Sequence, residues 1–378
     1  MQAASHDAEG RLDIKCLTLP ELEAAIVGLG KERFRAKQIY KWIWQKHVTS
    51  FDQMTNISKT ARAELEQRFY LSTLTASDIL HSTDGTRKFL WRCEDGHTIE
   101  SVLIPDGERF TLCMSTQVGC AMACSFCLTG DLGLKRHLKV SEIANQPAQV
   151  NALLAVEGHP PLTNLVLMGM GEPLHNLDNL VPALTIALDA DALNFSHRKI
   201  TVSTVGLVPR MAELAAALPV NLAVSLNATT EEQRLQTMPI TRRYDLETLL
   251  QACRDFPLPS GKRITFEYVM LGGFNDTLDD AVRLVRMLRG IKAKVNLIPY
   301  NENPDRDIKR PADHLVKQFQ TYVMQQGIHC AVRTTRGTDI AAACGQLGKR
   351  EEAARRRAAK QDRTDGPQSP KSSLQTTK

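Results

Sequence analysis

The sequence predicts an α/β protein, a partial barrel of six β/α units with a small helical domain at its amino end and a short antiparallel β extension between them. Three observations carry that reading. From residue 110 onward, short apolar runs alternate with helical stretches, the pattern of parallel strands covered on both faces. Between residues 78 and 105 the period drops to two, as in antiparallel hairpins, and up to about residue 75 the pattern is helical. The implied division is a helical accessory domain over 1–75, a β linker over 76–109, the barrel with a C-terminal loop over 110–348, and a basic tail over 349–378.

In the first segment, Leu17 to Ile26 opens with Thr18 and has Glu21 three residues on, a capping box. Lys31 to Lys46 places Ile39, Trp42 or Ile43 on one helix face and Lys37 and Lys41 on another, with six basic residues against one acidic. That face is either an ordinary solvated surface or a grip for RNA. A shorter helix follows around Lys59 to Phe69. In the linker, Asp84-Gly85 and Glu94-Asp-Gly-His mark turns, and Glu100 lies on the strand Thr98 to Pro105, where a wet-face position is the ordinary reading.

The barrel strands are expected at Phe110–Ser115, Asn164–Met168, Lys199–Thr204, Val220–Leu226, Ile264–Met270 and Val295–Pro299, with a final strand-like run from His329. Helices are expected at Val140–Leu153, Leu177–Asp189, Leu246–Phe256, Leu278–Leu288 and Ala312–Gln326. Pro147 should kink or end the first of these. In such a barrel, functional residues sit at the carboxyl ends of the strands.

Composition narrows the class. With 43% hydrophobic and 24% charged residues the chain is globular. It has no run of membrane-spanning length, and its start lacks a basic, then apolar, leader, so a cytoplasmic protein is expected. The cysteine count is odd, nine, with three clustered, which suits a reducing compartment. The net charge of +5 resides in the tail, so an RNA-binding surface on the folded part must come from local patterning. Nothing demands more than a monomer.

The chemistry starts at Cys120-Ala-Met-Ala-Cys124-Ser-Phe-Cys127, which follows the first barrel strand. An iron–sulfur cube usually takes four cysteines, so three from one loop leave one iron open to an exchangeable ligand. Structural zinc needs four closed ligands, and the next histidine, His137, stands at no familiar spacing. After the second strand, Gly169-Met-Gly-Glu172-Pro offers glycines for close approach and a carboxylate for an ammonium group. Ser203, then Ser225, Leu226 and Asn227, and Asn301 recur at later strand ends, where hydroxyls and amides suit a ribose, a carboxylate or adenine. Cys113 reads as a core residue and Cys344, flanked by glycine, is undecided.

The cysteine spacing, with Phe126 before the last thiol, resembles the radical S-adenosylmethionine (SAM) superfamily, which implies a [4Fe–4S] cluster and SAM as cofactors. Cys113-Met-Ser-Thr-Gln-Val-Gly-Cys120, Gly169-Met-Gly-Glu-Pro and Arg336-Gly-Thr-Asp-Ile-Ala-Ala-Ala-Cys344-Gly-Gln-Leu together resemble the RlmN family of RNA methyltransferases, from about Leu17 to Leu347. Pro147, the charged loop from Asn303 and Ala341, where the family often has aspartate, are departures. The resemblance implies methylation of adenosine carbon 2 in 23S rRNA and tRNA. It makes Cys120, Cys124 and Cys127 the cluster ligands, and Gly171, Glu172, Ser203, Ser225, Leu226, Asn227 and Asn301 the SAM contacts. It further implies that Cys344 becomes S-methylated, that Cys113 resolves the enzyme–RNA link through a transient disulfide with Cys344, and that Glu100 accepts the carbon-2 proton. An electron donor of the flavodoxin type and a thioredoxin-like thiol reductant are implied partners. The sister enzymes that methylate carbon 8 share these cysteines, so the motifs alone leave that alternative open. A non-catalytic iron–sulfur or zinc RNA-binding module would need no reactive thiol at 344.

Overall fold

The computed structural model describes residues 6–348 except 260, 304 and 305; the basic tail lies outside the described residues. Helices α1 (Leu19–Gly28), α2 (Phe34–Trp44) and α3 (Lys59–Arg68) make up the amino-terminal module. Glu21 accepts hydrogen bonds from the Thr18 amide (2.8 Å) and hydroxyl (2.6 Å), which fixes the start of α1. The inner stripe of α2 is Ala36, Ile39, Tyr40, Ile43 and Trp44, with Trp42 at its margin. Lys15, 3% exposed, donates to Asn145 (3.1 Å) and so fastens this module to the barrel.

The extension is an antiparallel meander of β1 (Thr75–His81), β2 (Arg87–Arg92), β3 (Thr98–Asp106) and β4 (Arg109–Cys113). From β4 the sheet turns parallel. It continues through α4 (Val140–Val156), β5 (Asn164–Leu167), α5 (Leu177–Leu188), β6 (Ile200–Thr204), α6 (Val208–Ala217), β7 (Asn221–Ser225) and α7 (Glu231–Thr237). Then follow α8 (Leu246–Asp255), β8 (Ile264–Met270), α9 (Leu278–Met287), β9 (Ala293–Pro299), α10 (Asp313–Gln325) and β10 (His329–Val332). The strands lie in chain order across one sheet of ten, β1 to β10. Six parallel pairings join β4 to β10, the partial barrel that the alternating apolar runs predict. Sequential neighbours with a helix in each crossover are the economical solution for strands buried on both faces. No helix of the described residues is long and apolar enough to cross a membrane.

Pro147 neither ends nor breaks its helix: α4 runs through it. The proline and both its neighbours are buried, and Gln146 beside it exchanges two hydrogen bonds with the backbone of Ser115, both 2.9 Å. Tertiary anchoring on both sides of the missing N–H outweighs the local cost of proline.

Candidate active site

The cluster loop is shaped by tight backbone packing. Gly119 has φ +74°, and a Cβ there would lie 1.8 Å from the Gly133 carbonyl oxygen; at Gly130 it would press on the Cys124 amide at 3.2 Å. The loop ends as Cys127 enters the helical turn Leu128–Asp131. Cys120, Cys124 and Cys127 face one cavity that opens at the carboxyl ends of the barrel strands. Burial pushes the Cys120 thiol up to about 12, and raises Cys124 too, helped by repulsion from Cys127 and Cys120. Gathered, unpaired thiols that resist ionisation fit a cationic group that must displace their protons. Among the described residues no three His, Cys, Asp or Glu converge on a site for a single ion. A cube offers a separate iron to each thiolate, so its ligands need only face a common space.

Gly169 and Gly171 line the same cavity and are also required by close packing of the chain. A Cβ on Gly169 would sit 2.6 Å from the Met114 carbonyl oxygen, and one on Gly171, at φ +102°, 2.6 Å from Gln117 Cβ. The glycines let two neighbouring strand-end loops touch. Glu172 is thereby buried at the cavity wall, where its carboxylate accepts from the amides of Leu174 (3.1 Å) and Val205 (2.9 Å). Burial pushes its pKa up to about 7, and the hydrogen bonds from Thr204, Val205 and Leu174 only partly oppose this.

Ser203, Ser225, Asn227 and Asn301 line the same cavity, as does Gly171. Leu226 does not: its side chain lies in the hydrophobic core and its amide bonds the Glu267 carbonyl. Asn227, at φ +57°, has its amide engaged with the Val269 N–H (2.8 Å) and the Met238 sulfur (3.3 Å), a framework use of that side chain. Asn301 donates to the Cys344 carbonyl (3.2 Å) and accepts from Thr335 (3.0 Å), so it moors the C-terminal loop.

Cys344 also borders the main cavity, and a smaller adjoining cavity is lined by Cys113, Cys127 and Cys344 together. Cys113 is pushed up to about 12 by burial and then by Cys344. All nine cysteines are free thiols here. Two groups that sequence reasoning missed complete this corner. Arg333, just past β10, lines both cavities, and its guanidinium is held above its ordinary value first by Cys344, then by Glu267 and Cys113. Glu267, on β8, is raised by burial and accepts from Asn296 (2.7 Å). Glu267 is a charged residue inside an otherwise apolar strand, a signal the sequence did contain.

Glu100 is not on a wet face. It is 4% exposed on β3, with Lys88 of β2 at 3.4 Å, and it borders neither of the two cavities. Strand alternation places it on the same face as Val102 and Ile104, which line the Cys113–Cys344 cavity. Register then puts Lys88, Val102 and Cys113 in one row across β2, β3 and β4.

The Cys344 loop is tied at both ends. On one side the β1–β2 turn holds it: the Gly337 N–H donates to Asp84 (3.0 Å), and Asp339 accepts from the Ser82 hydroxyl (2.6 Å) and the Thr83 amide (3.1 Å). On the other, the Leu128 N–H donates to the Gly345 carbonyl (2.8 Å) and the Thr129 hydroxyl to that of Leu347 (2.9 Å).

The basic face of α2 is largely neutralised. Asp191 pairs with Lys37 (2.7 Å) and Lys41 (3.2 Å), Arg33 pairs with Glu23 (2.5 Å), Arg35 with Glu32 (3.8 Å) and Lys31 with Glu64.

Residues 12–71 match the ribosomal RNA large subunit methyltransferase N-terminal domain and residues 114–288 the radical SAM superfamily. The chain is 53% identical to a dual-specificity RNA methyltransferase RlmN of Pelobacter propionicus over 91% of this chain and 98% of that one. It is 54% identical to the RlmN of Geotalea uraniireducens, with 89% and 96% covered. A crystal structure of a radical SAM methyltransferase from Sphaerobacter thermophilus superposes with a TM-score of 0.84 at 42% identity, covering 89% of this chain and 99% of that one. The three-cysteine loop, the strand-end cavity and a match over nearly the full length of such relatives agree, and the chain belongs to the RlmN family of the radical SAM superfamily.

Proposed function

We propose that this chain is a radical SAM RNA methyltransferase that places a methyl group on carbon 2 of adenosine in 23S rRNA and tRNA, with Cys344 as the methyl carrier. The observation that carries the reading is the cavity that Cys113, Cys344 and the cluster-loop residue Cys127 line together. Carbon 2 of adenine is electron-poor and does not attack a sulfonium methyl, so a carrier thiol beside a radical source answers a chemical need. Cys120, Cys124 and Cys127 would hold the [4Fe–4S] cluster, with SAM in the cavity that Glu172, Ser203, Ser225 and Asn301 border. Bound there, cluster and SAM supply a one-electron oxidant strong enough to remove a hydrogen atom from an S-methyl group.

The remaining work belongs to the protein. Cys344 holds the methyl carbon at the cavity wall, which Arg333 also lines. Cys113 resolves the link: once the adduct has given up its odd electron, which the bound cluster would accept, the carbon-2 proton goes to Glu100, the Cys113 thiolate bonds to the Cys344 sulfur, and the sulfur–carbon bond breaks with its electron pair left on carbon, which takes up a proton to complete the methyl group. The disulfide is then reduced by a thiol reductant, as a cytosolic site requires. An adenosine within structured RNA has to be extruded to reach this depth.

The test is reconstitution of the full chain with SAM, reductant and rRNA, followed by mass spectrometry of the nucleosides. Wild type should yield 2-methyladenosine, and Cys344→Ala should yield none. Methylation by Cys344→Ala would overturn the carrier role, and methyl on carbon 8 would overturn the position.

A further inference from the structure

Lys88 is a charged side chain that the proposed chemistry does not use, and it is 1% exposed. A buried ammonium has to be matched by a partner, because desolvation otherwise disfavours its charge. Partners of two different kinds meet Lys88. Its Nζ lies 3.4 Å from the Glu100 carboxylate, and it donates a 3.0 Å hydrogen bond to the Ala341 carbonyl, three residues before Cys344. The pairing of β2 with β3 sets Lys88 opposite Val102 and Leu90 opposite Glu100, so the lysine reaches its carboxylate along the diagonal of one sheet face. Ala341 itself has φ +50°, a left-handed conformation that alanine adopts only when its surroundings impose it. The bond from Lys88 holds the carbonyl of this residue, and its N–H donates to the Thr338 carbonyl (3.2 Å).

We propose that Lys88 is a positioning residue for the proton-accepting step: its buried ammonium keeps Glu100 ionised and fastens it to the backbone of the loop that carries Cys344. The inference rests on the reading of Glu100 as the proton acceptor. A carboxylate in a water-poor place is driven to its neutral form, and an opposite charge within a few ångströms reverses that. Only the ionised form can accept a proton. In the step it serves, the carbon 2–hydrogen bond breaks, its electron pair stays in the base, and the proton passes to a Glu100 oxygen; Lys88 exchanges no proton. Because one ammonium holds both Glu100 and Ala341, the acceptor and the carrier loop keep a fixed relation when RNA is joined to Cys344.

The test uses full-length, cluster-reconstituted variants with SAM, reductant and an rRNA substrate. Lys88→Gln keeps a donor for Ala341 and removes the charge; Lys88→Arg keeps the charge. Lys88→Gln should still S-methylate Cys344 but accumulate the covalent protein–RNA adduct on denaturing gels, with release slowed about tenfold or more, the scale of a lost charge-assisted contact. Lys88→Arg should restore most of the release. Wild-type release by Lys88→Gln overturns the proposal, and so does loss of Cys344 S-methylation and adduct alike, which would make Lys88 a framework residue. If the amide variant does not fold, Lys88→Met, close in shape to the lysine stem, takes its place with the same outcomes. Glu100→Gln runs in parallel: normal release by that variant overturns the acceptor reading itself, whereas adduct in Glu100→Gln but not in Lys88→Gln overturns only the role of Lys88.

Discussion

Helix α2 and the Cys344 loop are both held by charge and hydrogen bonds, but the two regions hold in opposite ways. On α2 the pairs are at the surface; Lys37 and Lys41 are about half exposed and share Asp191. Such solvent-screened pairs contribute little and yield readily to a competing anion. Around the loop, the carboxylate of Asp84, the ammonium of Lys88 and the amide of Asn301 each bind backbone atoms of residues 337–344. Removing a partner from a buried pair such as Lys88–Glu100 costs about 3–5 kcal/mol. The contrast teaches where tolerance lies. On the proposed mechanism a carrier thiol must meet SAM, RNA and a second thiol in turn and needs a fixed loop, whereas surface pairs on a helix can exchange partners.

The contrast can be broken first at the loop. Asp84→Ala removes two hydrogen bonds, to Thr86 (2.9 Å) and Gly337 (3.0 Å). Burial pushes the Asp84 carboxyl up, but hydrogen bonds from Thr86 and Gly337 more than offset it and leave it below its ordinary value. Loss of these contacts is worth about 1–3 kcal/mol, so methylation should fall roughly tenfold to a hundredfold with RNA affinity unchanged. A loss confined to RNA affinity would show that the β1–β2 turn serves binding.

The cavity supplies a pH test. Glu172 is raised to about 7, so the folded apo-protein holds its proton more tightly than the unfolded chain. Stability from that proton is present below about 4.5 and is lost as pH rises toward 7. An ammonium ligand requires the carboxylate, so SAM binding to the reconstituted protein should weaken as pH drops below about 7, by up to tenfold per unit. Titration calorimetry across pH 5.5 to 8 reads this as ~tenfold changes at most per unit. Glu172→Gln should bind weakly and flatten the profile; an unchanged profile would exclude Glu172 as the ammonium acceptor.

The smallest effects belong to α2. If its cations engage phosphates, Lys37→Ala and Lys41→Ala should each weaken RNA binding a few-fold and lower the salt slope by about one. Asp191→Asn frees both lysines and should tighten binding by a similar factor. Filter binding at several salt concentrations decides it, and indifference to all three changes would return α2 to a packing role.

How much of this was legible in the chain depends on range. The cluster loop was, because three thiols within eight residues define their chemistry locally. The strands were, because burial on both faces writes itself as apolar runs, and Thr18 with Glu21 marked a helix start. Pro147 does not end its helix, because Gln146 and the buried neighbours hold it, which local rules do not weigh. Glu100 was read as a surface residue until the RlmN resemblance singled it out, and Lys88 was missed throughout: both owe their place to a cross-strand pair and to Ala341, 253 positions beyond Lys88. The need for glycine at Gly169 and Gly171 is legible in the sequence, but their packing on Met114 and Gln117 is not, because those neighbours come from another strand end.

The central claim is that the methyl carbon passes through Cys344, and its most direct test follows that carbon. Protein carrying an unlabelled S-methyl group on Cys344 is reconstituted, then given SAM with an isotopically labelled methyl group and limiting rRNA. The account predicts that the first methyladenosine formed is unlabelled and that label then appears on the Cys344 peptide. Label in the first product would contradict it.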